Sequence, residues 1–202
     1  LPYVHFFETS FGRSYDRTFI IVRVYEDGLI GYGECVAEEK PLYSGETTET
    51  AWHILKDFLV PLVFSRGIVE PEDFYNAAKI FKENRMAKAG LELALWDLKA
   101  KKQGLPLYKL YGGIRKEIAA GVSAGIEDSI PDLLNMIENY RSQGYERIKI
   151  KIKPGWDIEV CQAIREKYPE LLLQADANGI YSPEEADHLR QLDAFKLLML
   201  EQ

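Results

Sequence analysis

The feature that most constrains the fold is an alternation of short apolar strands with amphipathic helices in the second half of the chain. Lys151, Asp176 and Glu201 follow one another at intervals of 25 residues, the length of one strand, one helix and two loops. This is typical of parallel βα units. A closed (β/α)₈ barrel needs about 250 residues, so this part is predicted to form the first four strands of a barrel. The predicted strands are 118–126, 147–152, 171–176 and 197–201, and the helices between them are 129–142, 158–167 and 183–191.

The first half of the chain lacks this alternation and predicts a small α+β domain. Residues 18–25 and 29–35 are strand-like and enclose the turn residues Glu26-Asp27-Gly28, so a β-hairpin is expected. Apolar residues recur at helical spacing from Thr47, and Pro61 is expected to end or kink that helix.

Two more helices complete this predicted domain. One follows Glu70-Pro71-Glu72, because proline and acidic residues suit a first helical turn. The other covers residues 86–102, which carry leucine and alanine on one side. The pattern changes at Tyr111-Gly112-Gly113. The predicted domains are therefore an α+β domain over residues 1–110 and barrel strands over residues 111–202.

Composition limits the class of partner. The formal net charge is -7 and the pI is near 5.1, which argues against binding to nucleic acid or to an acidic membrane, since both require a basic surface. The two cysteines, Cys35 and Cys161, have no metal-ligand spacing, so neither a disulfide framework nor a zinc site is expected. No leader-like segment and no membrane span of about 18 apolar residues is found. We therefore expect a cytoplasmic protein with small-molecule partners.

The segment 147–154 alternates lysine with isoleucine, which places the two side-chain types on opposite faces of a strand. One interpretation is an exposed strand whose lysine face is in water. The other is a barrel strand with isoleucines packed outward against helices and with Lys149 and Lys151 inside, near the catalytic end. Two ammonium groups roughly 7 Å apart disfavour each other's charge, so this arrangement predicts a lowered lysine pKa, as a catalytic base requires.

Polar side chains end the next two predicted strands, Asp176 with Asn178 on one and Glu201 on the other. Parallel barrels carry their active sites at this end of the strands. A helix cap is the alternative role for Asp176 or Asn178, although Ser182-Pro183 already supplies a cap and a first turn. Two carboxylates at one mouth suit Mg²⁺. Together with the lysine pair they predict abstraction of a proton alpha to a carboxylate, with the metal stabilising an enediolate.

Three motifs on successive predicted strands, Lys149-x-Lys151, Asp176-Ala177-Asn178 and Glu201-Gln202, resemble the muconate-lactonizing branch of the enolase superfamily, in which a Lys or His base works with Mg²⁺. Within that branch, further segments resemble the o-succinylbenzoate synthases that are also N-acylamino acid racemases. These segments are Phe7 to Gly12, Gly33-Glu34-Cys35, Pro41-Leu42-Tyr43-Ser44, Ala94 to Leu98 and Lys151 to Asp157. The resemblance spans nearly all 202 residues and implies an α/β fold with an N-terminal α+β capping domain before the (β/α) barrel.

The resemblance implies a role for each motif residue. Lys151 corresponds to the base that takes the alpha proton, and Lys149 to its catalytic partner. Asp176 and Glu201 correspond to metal ligands for Mg²⁺ or Mn²⁺. The family also has a third carboxylate and an opposing lysine on later strands, beyond Gln202. We therefore expect the chain to be a fragment, or to be completed by further sequence or by another polypeptide.

Four further residues fall where this family binds its substrate. Ser123 and Asn178 correspond to pocket-lining positions, and Phe7 and Tyr43 to two N-terminal loops that close over the pocket. The sequence leaves an ordinary structural role open for each of the four. Ser123 would be a polar strand residue, Asn178 a turn amide, and Phe7 and Tyr43 packed aromatic rings.

The implied activity is an o-succinylbenzoate synthase in menaquinone synthesis, acting on a small carboxylate. N-acylamino acid racemisation, dipeptide epimerisation and a non-catalytic domain are the alternatives that the sequence leaves open. Relatives are often oligomers, so a homo-oligomer is compatible with the resemblance. The histidines His5, His53 and His188 are scattered, and we expect them at surface or packing positions.

Overall fold

The computed structural model describes residues 1–202, which form two compact units. One unit contains Leu1–Asp16 and Glu117–Gln202, and the other contains Arg17–Lys116. The domain boundary predicted between residues 110 and 111 stays a prediction. The compact units differ from it because residues 1–16 belong to the unit that contains the parallel sheet and residues 111–116 belong to the other unit.

The parallel sheet of the first unit has four strands, which lie side by side in the order in which they occur in the chain. Every neighbouring pair is parallel, and helices lie between the strands in sequence. The predicted fold class is confirmed, since this is the architecture of the first half of a (β/α) barrel. The strands are β5 (Gly121–Ala124), β6 (Arg147–Lys151), β7 (Leu172–Asp176) and β8 (Met199–Glu201), and the helices are α6 (Ile130–Ser142), α7 (Ile158–Lys167) and the short α8 (Ala186–Leu189) between two 3₁₀ turns.

The core of this unit lies between the sheet and its helices. Ile148 and Ile150 of β6 are 0% exposed and belong to one cluster with Leu133 and Ile137 of α6 and Ile164 of α7. Burying each of these side chains stabilises the fold by about 1.5–3 kcal/mol. The expectation that the isoleucine face packs against helices is confirmed.

The first unit also contains an N-terminal hairpin that we did not predict, β1 (Pro2–Thr9) paired with β2 (Gly12–Asp16). The amide of Ile126, just after β5, donates to the carbonyl of Glu8 at 2.9 Å. The Glu8 carboxylate also accepts hydrogen bonds from Lys153 at 2.8 Å and from Arg13 at 2.6 Å. These contacts link the hairpin to the loops that follow β5 and β6.

The second unit begins with the expected hairpin, β3 (Ile20–Glu26) and β4 (Leu29–Cys35), in continuous antiparallel register. Its turn is Asp27-Gly28, with φ of 50° and 77° at the two positions. Two consecutive positive φ values are what a tight hairpin turn requires, and Asp-Gly is a favoured pair for them.

Pro61 does not end the helix, which is instead distorted just before it. Helix α1 (Thr48–Ile54) continues through a π-helical turn, Leu55–Leu59, into α2 (Val60–Arg66), which contains the proline. Proline in an α-helix lacks the N–H group and its ring clashes with the carbonyl four residues earlier. A π turn spaces donor and acceptor five residues apart, which opens the backbone next to Pro61 and relieves that clash.

Helix α4 (Arg85–Lys102) packs closely on β4 because glycines remove the side chains between them. A Cβ atom on Gly33 would lie 2.0 Å from the carbonyl oxygen of Gly90, and one on Gly90 would lie 2.9 Å from Cys35 Cβ. The remaining helices of this unit are α3 (Pro71–Ala77) and the short α5 (Leu107–Leu110). None of the helices is both long and apolar enough to span a membrane.

This close approach predicts that Gly33→Ala destabilises the second unit by about 1–3 kcal/mol, because the new methyl group overlaps backbone that cannot move independently. Urea unfolding of the natural full-length protein measures the change. Gly45→Ala is the matched control, since nothing lies within 4 Å of a Cβ atom there, and it should change stability by less than about 0.5 kcal/mol. Equal stability of the two variants would contradict the close packing.

Candidate active site

The candidate site begins with two lysines of β6, Lys149 and Lys151. They alternate with buried isoleucines, so both ammonium groups project from the other face of the sheet. Lys151 is the last residue of β6 and is only 7% exposed. A charged lysine is rarely so buried without a partner. The interpretation of the lysine face as a wet surface is therefore wrong for Lys151.

Asp176, the last residue of β7, is that partner. It lies opposite Lys151 in the parallel register and is 1% exposed. Its Oδ2 accepts a hydrogen bond from Lys151 Nζ at 2.6 Å and lies 2.8 Å from Lys149 Nζ. One carboxylate oxygen therefore binds both ammonium groups at the carboxyl end of the sheet.

The pKa values of this cluster follow from competition between burial and charge. Burial by itself raises the pKa of Asp176, but hydrogen bonds from the two lysines and from the Asn178 amide outweigh it and hold that pKa below its usual range. Burial likewise lowers the pKa of Lys149, but hydrogen bonds to Asp176 and Glu201 outweigh it and raise that pKa above its ordinary value. The lowered lysine pKa predicted from crowding is wrong for Lys149, because the carboxylates attract its charge more strongly than Lys151 repels it.

Asn178 completes the contacts of Lys151. Its side-chain oxygen accepts a hydrogen bond from Lys151 Nζ at 2.9 Å, and its amide donates to Asp176 Oδ1 at 2.9 Å. Asn178 has φ of 52° and Gly179 has φ of 76°, a left-handed conformation that asparagine and glycine tolerate better than other residues. This turn brings the amide side chain back over the end of β7.

Glu201 lies on the last strand, beside Asp176 in register. Its Oε2 accepts hydrogen bonds from Lys149 Nζ at 3.1 Å and from Gln174 at 3.3 Å. The side chain is 45% exposed, so its ion pair with Lys149 is more strongly screened by water than the pair between Asp176 and Lys151.

The carboxylates of this cluster fit part of a binding site for a hard divalent cation. Asp176 and Glu201 are carboxylates on neighbouring strands at one edge of the sheet, and oxygen ligands of this kind suit Mg²⁺. No group of three or more His, Cys, Asp or Glu side chains that could hold a metal ion is present in residues 1–202. The chain therefore supplies at most two carboxylate ligands at this mouth.

The remaining predicted site residues lie in different elements of the fold. Ser123 of β5 pairs with Lys149 in the parallel register, on the strand next to β6. Phe7 lies in the N-terminal hairpin, and its ring lies near Gly125 just after β5, where an added Cβ atom would be 3.3 Å from Phe7 Cδ2. Tyr43 belongs to the second unit, in the loop between β4 and α1, and is 68% exposed.

Sequence reasoning missed the ion pair between Glu8 and Lys153. Lys153 continues the lysine alternation of β6, which is a signal that could have pointed to it. Glu8 carries no such signal, because its partner lies 145 residues away. Burial raises the pKa of Glu8, but hydrogen bonds from Lys153 and Arg13 outweigh it and lower that pKa overall.

Comparison with known proteins places the chain in a family. Residues 2–112 match the family described as Mandelate racemase / muconate lactonizing enzyme, N-terminal domain, and residues 132–202 match the family described as Enolase C-terminal domain-like. The chain therefore belongs to the mandelate racemase / muconate lactonizing enzyme family of the enolase superfamily.

Individual relatives agree with this assignment. The chain is 49% identical over 197 residues to an o-succinylbenzoate synthase of Geobacillus kaustophilus, covering 97% of this chain and 52% of that protein. It is 45% identical over 202 residues to an N-succinylamino acid racemase of Thermus thermophilus, covering 100% and 55%. A crystal structure of an enolase superfamily member from Listeria innocua superposes with a TM-score of 0.90 at 40% identity, covering 100% and 55%. The chain thus spans about half the length of the curated relatives it matches.

The shared carboxylate predicts a specific pH dependence of stability. The pKa of Asp176 is lower in the folded protein than in the unfolded chain, where it is about 3.9. Its ionised form therefore stabilises the fold above that pH, and the stabilisation is lost as pH falls through the folded-state pKa. Asp176→Asn should destabilise the natural full-length protein by roughly 3–5 kcal/mol at pH 7, and this difference from wild type should shrink at low pH.

Urea unfolding between pH 7 and pH 2 in the presence of a chelator measures that difference. Asp187→Asn is the matched control, because Asp187 forms an exposed ion pair with Arg190 and its side chain is 88% exposed. Losing this ion pair should lower the free energy of unfolding by less than about 1 kcal/mol. A difference between wild type and Asp176→Asn that stays constant with pH would contradict the account of the cluster.

Proposed function

We propose that the protein carrying this chain is a Mg²⁺-dependent enzyme that removes the proton alpha to a carboxylate, with o-succinylbenzoate synthesis as its reaction. The observation that carries the proposal is the buried ammonium group of Lys151, which lies 2.6 Å from Asp176 and 2.9 Å from Asn178 at the carboxyl end of the parallel sheet. A lysine held by two partners in one orientation can face a bound substrate with little rearrangement.

In this reaction Lys151, in its neutral form, accepts the alpha proton of the substrate. The electron pair of the C–H bond forms a new double bond as the bond to the beta hydroxyl breaks. The hydroxyl leaves as water with the proton that Lys151 accepted, which regenerates the neutral amine, and the product ring becomes aromatic. A lysine is suited to this role because its proton can be taken up and released at the same atom.

The other residues of the cluster have supporting roles. We propose that Lys149 is the catalytic partner of the base, next to Asp176 and Glu201. Those two carboxylates would hold the cation. A bound Mg²⁺, or Mn²⁺ in its place, would stabilise the negative charge that develops on the substrate carboxylate when the alpha proton leaves.

The substrate is proposed to be a small carboxylate that contacts Ser123 and Asn178. Phe7 of the N-terminal hairpin and Tyr43 of the loop between β4 and α1 are proposed to close over it. Racemisation of N-succinyl amino acids is the second candidate, because the similarity to an N-succinylamino acid racemase, 45% identity, is nearly as high as that to the synthases. In that reaction a second base would return the proton on the opposite face.

The proposed setting is menaquinone synthesis in the cytoplasm. Cys35 and Cys161 are both free and buried, which is compatible with a reducing compartment. Burial raises the pKa of Cys161 to about 12, so its thiol stays protonated and unreactive at neutral pH.

The proposal predicts that the natural full-length protein exchanges the alpha proton of an N-succinyl amino acid with D₂O, and that Lys151→Ala abolishes this exchange. Removing a general base costs about 10²–10⁴-fold in rate. Proton NMR of the substrate measures the rate of exchange. A chelator should stop the exchange, and added Mg²⁺ should restore it.

Lys116→Ala is the matched control, because Lys116 is an exposed lysine of the second unit. This variant should exchange the alpha proton of the substrate at the wild-type rate. Exchange that survives Lys151→Ala would show that another group is the base. A wild-type protein that, with Mg²⁺ present, neither exchanges this proton nor forms o-succinylbenzoate by dehydration would overturn the proposed function.

A further inference from the structure

A second buried carboxylate, Asp157, lies outside the lysine cluster. It is the N-cap residue of α7, directly after the loop that follows β6, and is 4% exposed. Its Oδ2 accepts hydrogen bonds from Tyr181 Oη at 2.6 Å and from His188 Nε2 at 2.7 Å, and its Oδ1 accepts one from the amide of Ile158 at 2.6 Å. Three donors thus satisfy one buried carboxylate.

The protonation states in this group are fixed by its contacts. Burial raises the pKa of Asp157, but hydrogen bonds from Tyr181 and His188 outweigh it and lower that pKa, so the carboxylate stays ionised. Burial and the bond to Asp157 both raise the pKa of Tyr181, so the phenol keeps its proton. The hydrogen bond therefore runs from a neutral donor to a charged acceptor, which makes it stronger than one between neutral groups.

The three side chains come from three different segments. Asp157 follows β6, Tyr181 lies in the loop after β7, and His188 lies on α8. The Tyr181 and His188 rings are stacked with their centroids 6.2 Å apart. Tyr181 also accepts a hydrogen bond at its carbonyl from the Gln202 side chain at 2.5 Å, just after β8. The loop after β7 is thus anchored to both neighbouring strand ends.

That loop is the one that carries Asn178. Asn178 and Gly179 adopt two consecutive left-handed conformations, which cost free energy for a residue with a side chain and persist when the surroundings hold them. Tyr181, two residues later, is 4% exposed and is the first side chain after this turn that is fixed in the core. The hydrogen bond from its phenol to Asp157 holds Tyr181 at this position in the core.

We propose that Asp157, Tyr181 and His188 are positioning residues that hold the loop after β7 in the conformation that presents Asn178 to Lys151. The inference rests on the proposed function, because it assigns these residues an effect on proton abstraction by Lys151. They touch neither the base nor the two carboxylates of the cluster, so they act through Asn178.

The test compares two buried tyrosines of the same core that each donate a hydrogen bond to a carboxylate. Tyr181→Phe removes the phenol that donates to Asp157 and leaves the ring in place. Tyr168→Phe is the matched control, since Tyr168 is 7% exposed and donates to Glu138 at 2.5 Å, on the side of β7 where the strand begins. Tyr181→Phe should lose about 1–3 kcal/mol of stability, and Tyr168→Phe should lose less, because Glu138 is exposed to water. Both proteins should stay folded, which separates positioning from folding.

The first readout is amide hydrogen exchange of the peptide 177–182 in the natural full-length protein. Its amides are protected by bonds such as Ala177 N–H to Glu201 O at 2.8 Å and Asn178 N–H to Asp176 Oδ1 at 2.9 Å. Tyr181→Phe should accelerate exchange in this peptide, and Tyr168→Phe should not. An unchanged peptide in Tyr181→Phe overturns the proposal, whatever the protein catalyses.

The second readout is the rate at which the alpha proton of an N-succinyl amino acid exchanges with D₂O. Tyr181→Phe should lower this rate roughly 10-fold to 100-fold, the size expected for a misplaced catalytic group, and Tyr168→Phe should leave it unchanged.

Adding Tyr181→Phe to Asn178→Ala should lower the rate no further, because both changes act through one contact. A wild-type rate in Tyr181→Phe, or independent effects of the two substitutions, overturns the positioning role. A wild-type protein without exchange would instead contradict the racemase candidate of the proposed function, and the amide readout would still decide whether Tyr181 anchors the loop.

Discussion

The interaction on which the site depends is the sharing of one buried carboxylate oxygen by two lysines. Asp176 is 1% exposed and binds Lys149 at 2.8 Å and Lys151 at 2.6 Å. None of these charges can be buried alone, because an unpaired charge in a protein interior costs several kcal/mol. The requirement explains why the lysines occupy the inner face of β6 while isoleucines fill the outer face. It also explains why Asp176 lies opposite Lys151 in the parallel register.

The parallel sheet fixes the distances between the charged side chains of the site, whereas the position of Asn178 depends on a loop at the carboxyl end of the sheet. Strand register alone places Lys151 beside Asp176 and Asp176 beside Glu201. Asn178 depends on its loop, which is held from the other side by the buried Asp157 carboxylate through Tyr181. The site therefore has an inner charged cluster set by the strands and an outer hydrogen-bonded group that fixes the loop.

Local patterns in the sequence predicted much of this arrangement. Alternation identified the faces of β6, and polar residues at strand ends identified Asp176, Asn178 and Glu201, because both patterns express geometry within a few residues. The N-terminal hairpin, the Glu8–Lys153 ion pair and the role of His188 were not predicted, since each depends on partners distant in the sequence. The continuation of the helix through Pro61 depends on a π turn that proline rules do not anticipate. The pKa of Lys149 was predicted in the wrong direction, because the count of neighbouring charges omitted two carboxylates.

We propose that Asp176 and Glu201 bind a divalent cation next to Lys151. The most direct measurement is a crystal structure of the natural full-length protein grown with Mn²⁺, in which anomalous scattering identifies the metal. The account predicts an anomalous peak coordinated by the carboxylates of Asp176 and Glu201, with Lys151 at the same mouth of the sheet. A protein that binds Mn²⁺ only at other residues, or a peak that persists unchanged in Asp176→Ala, would contradict it.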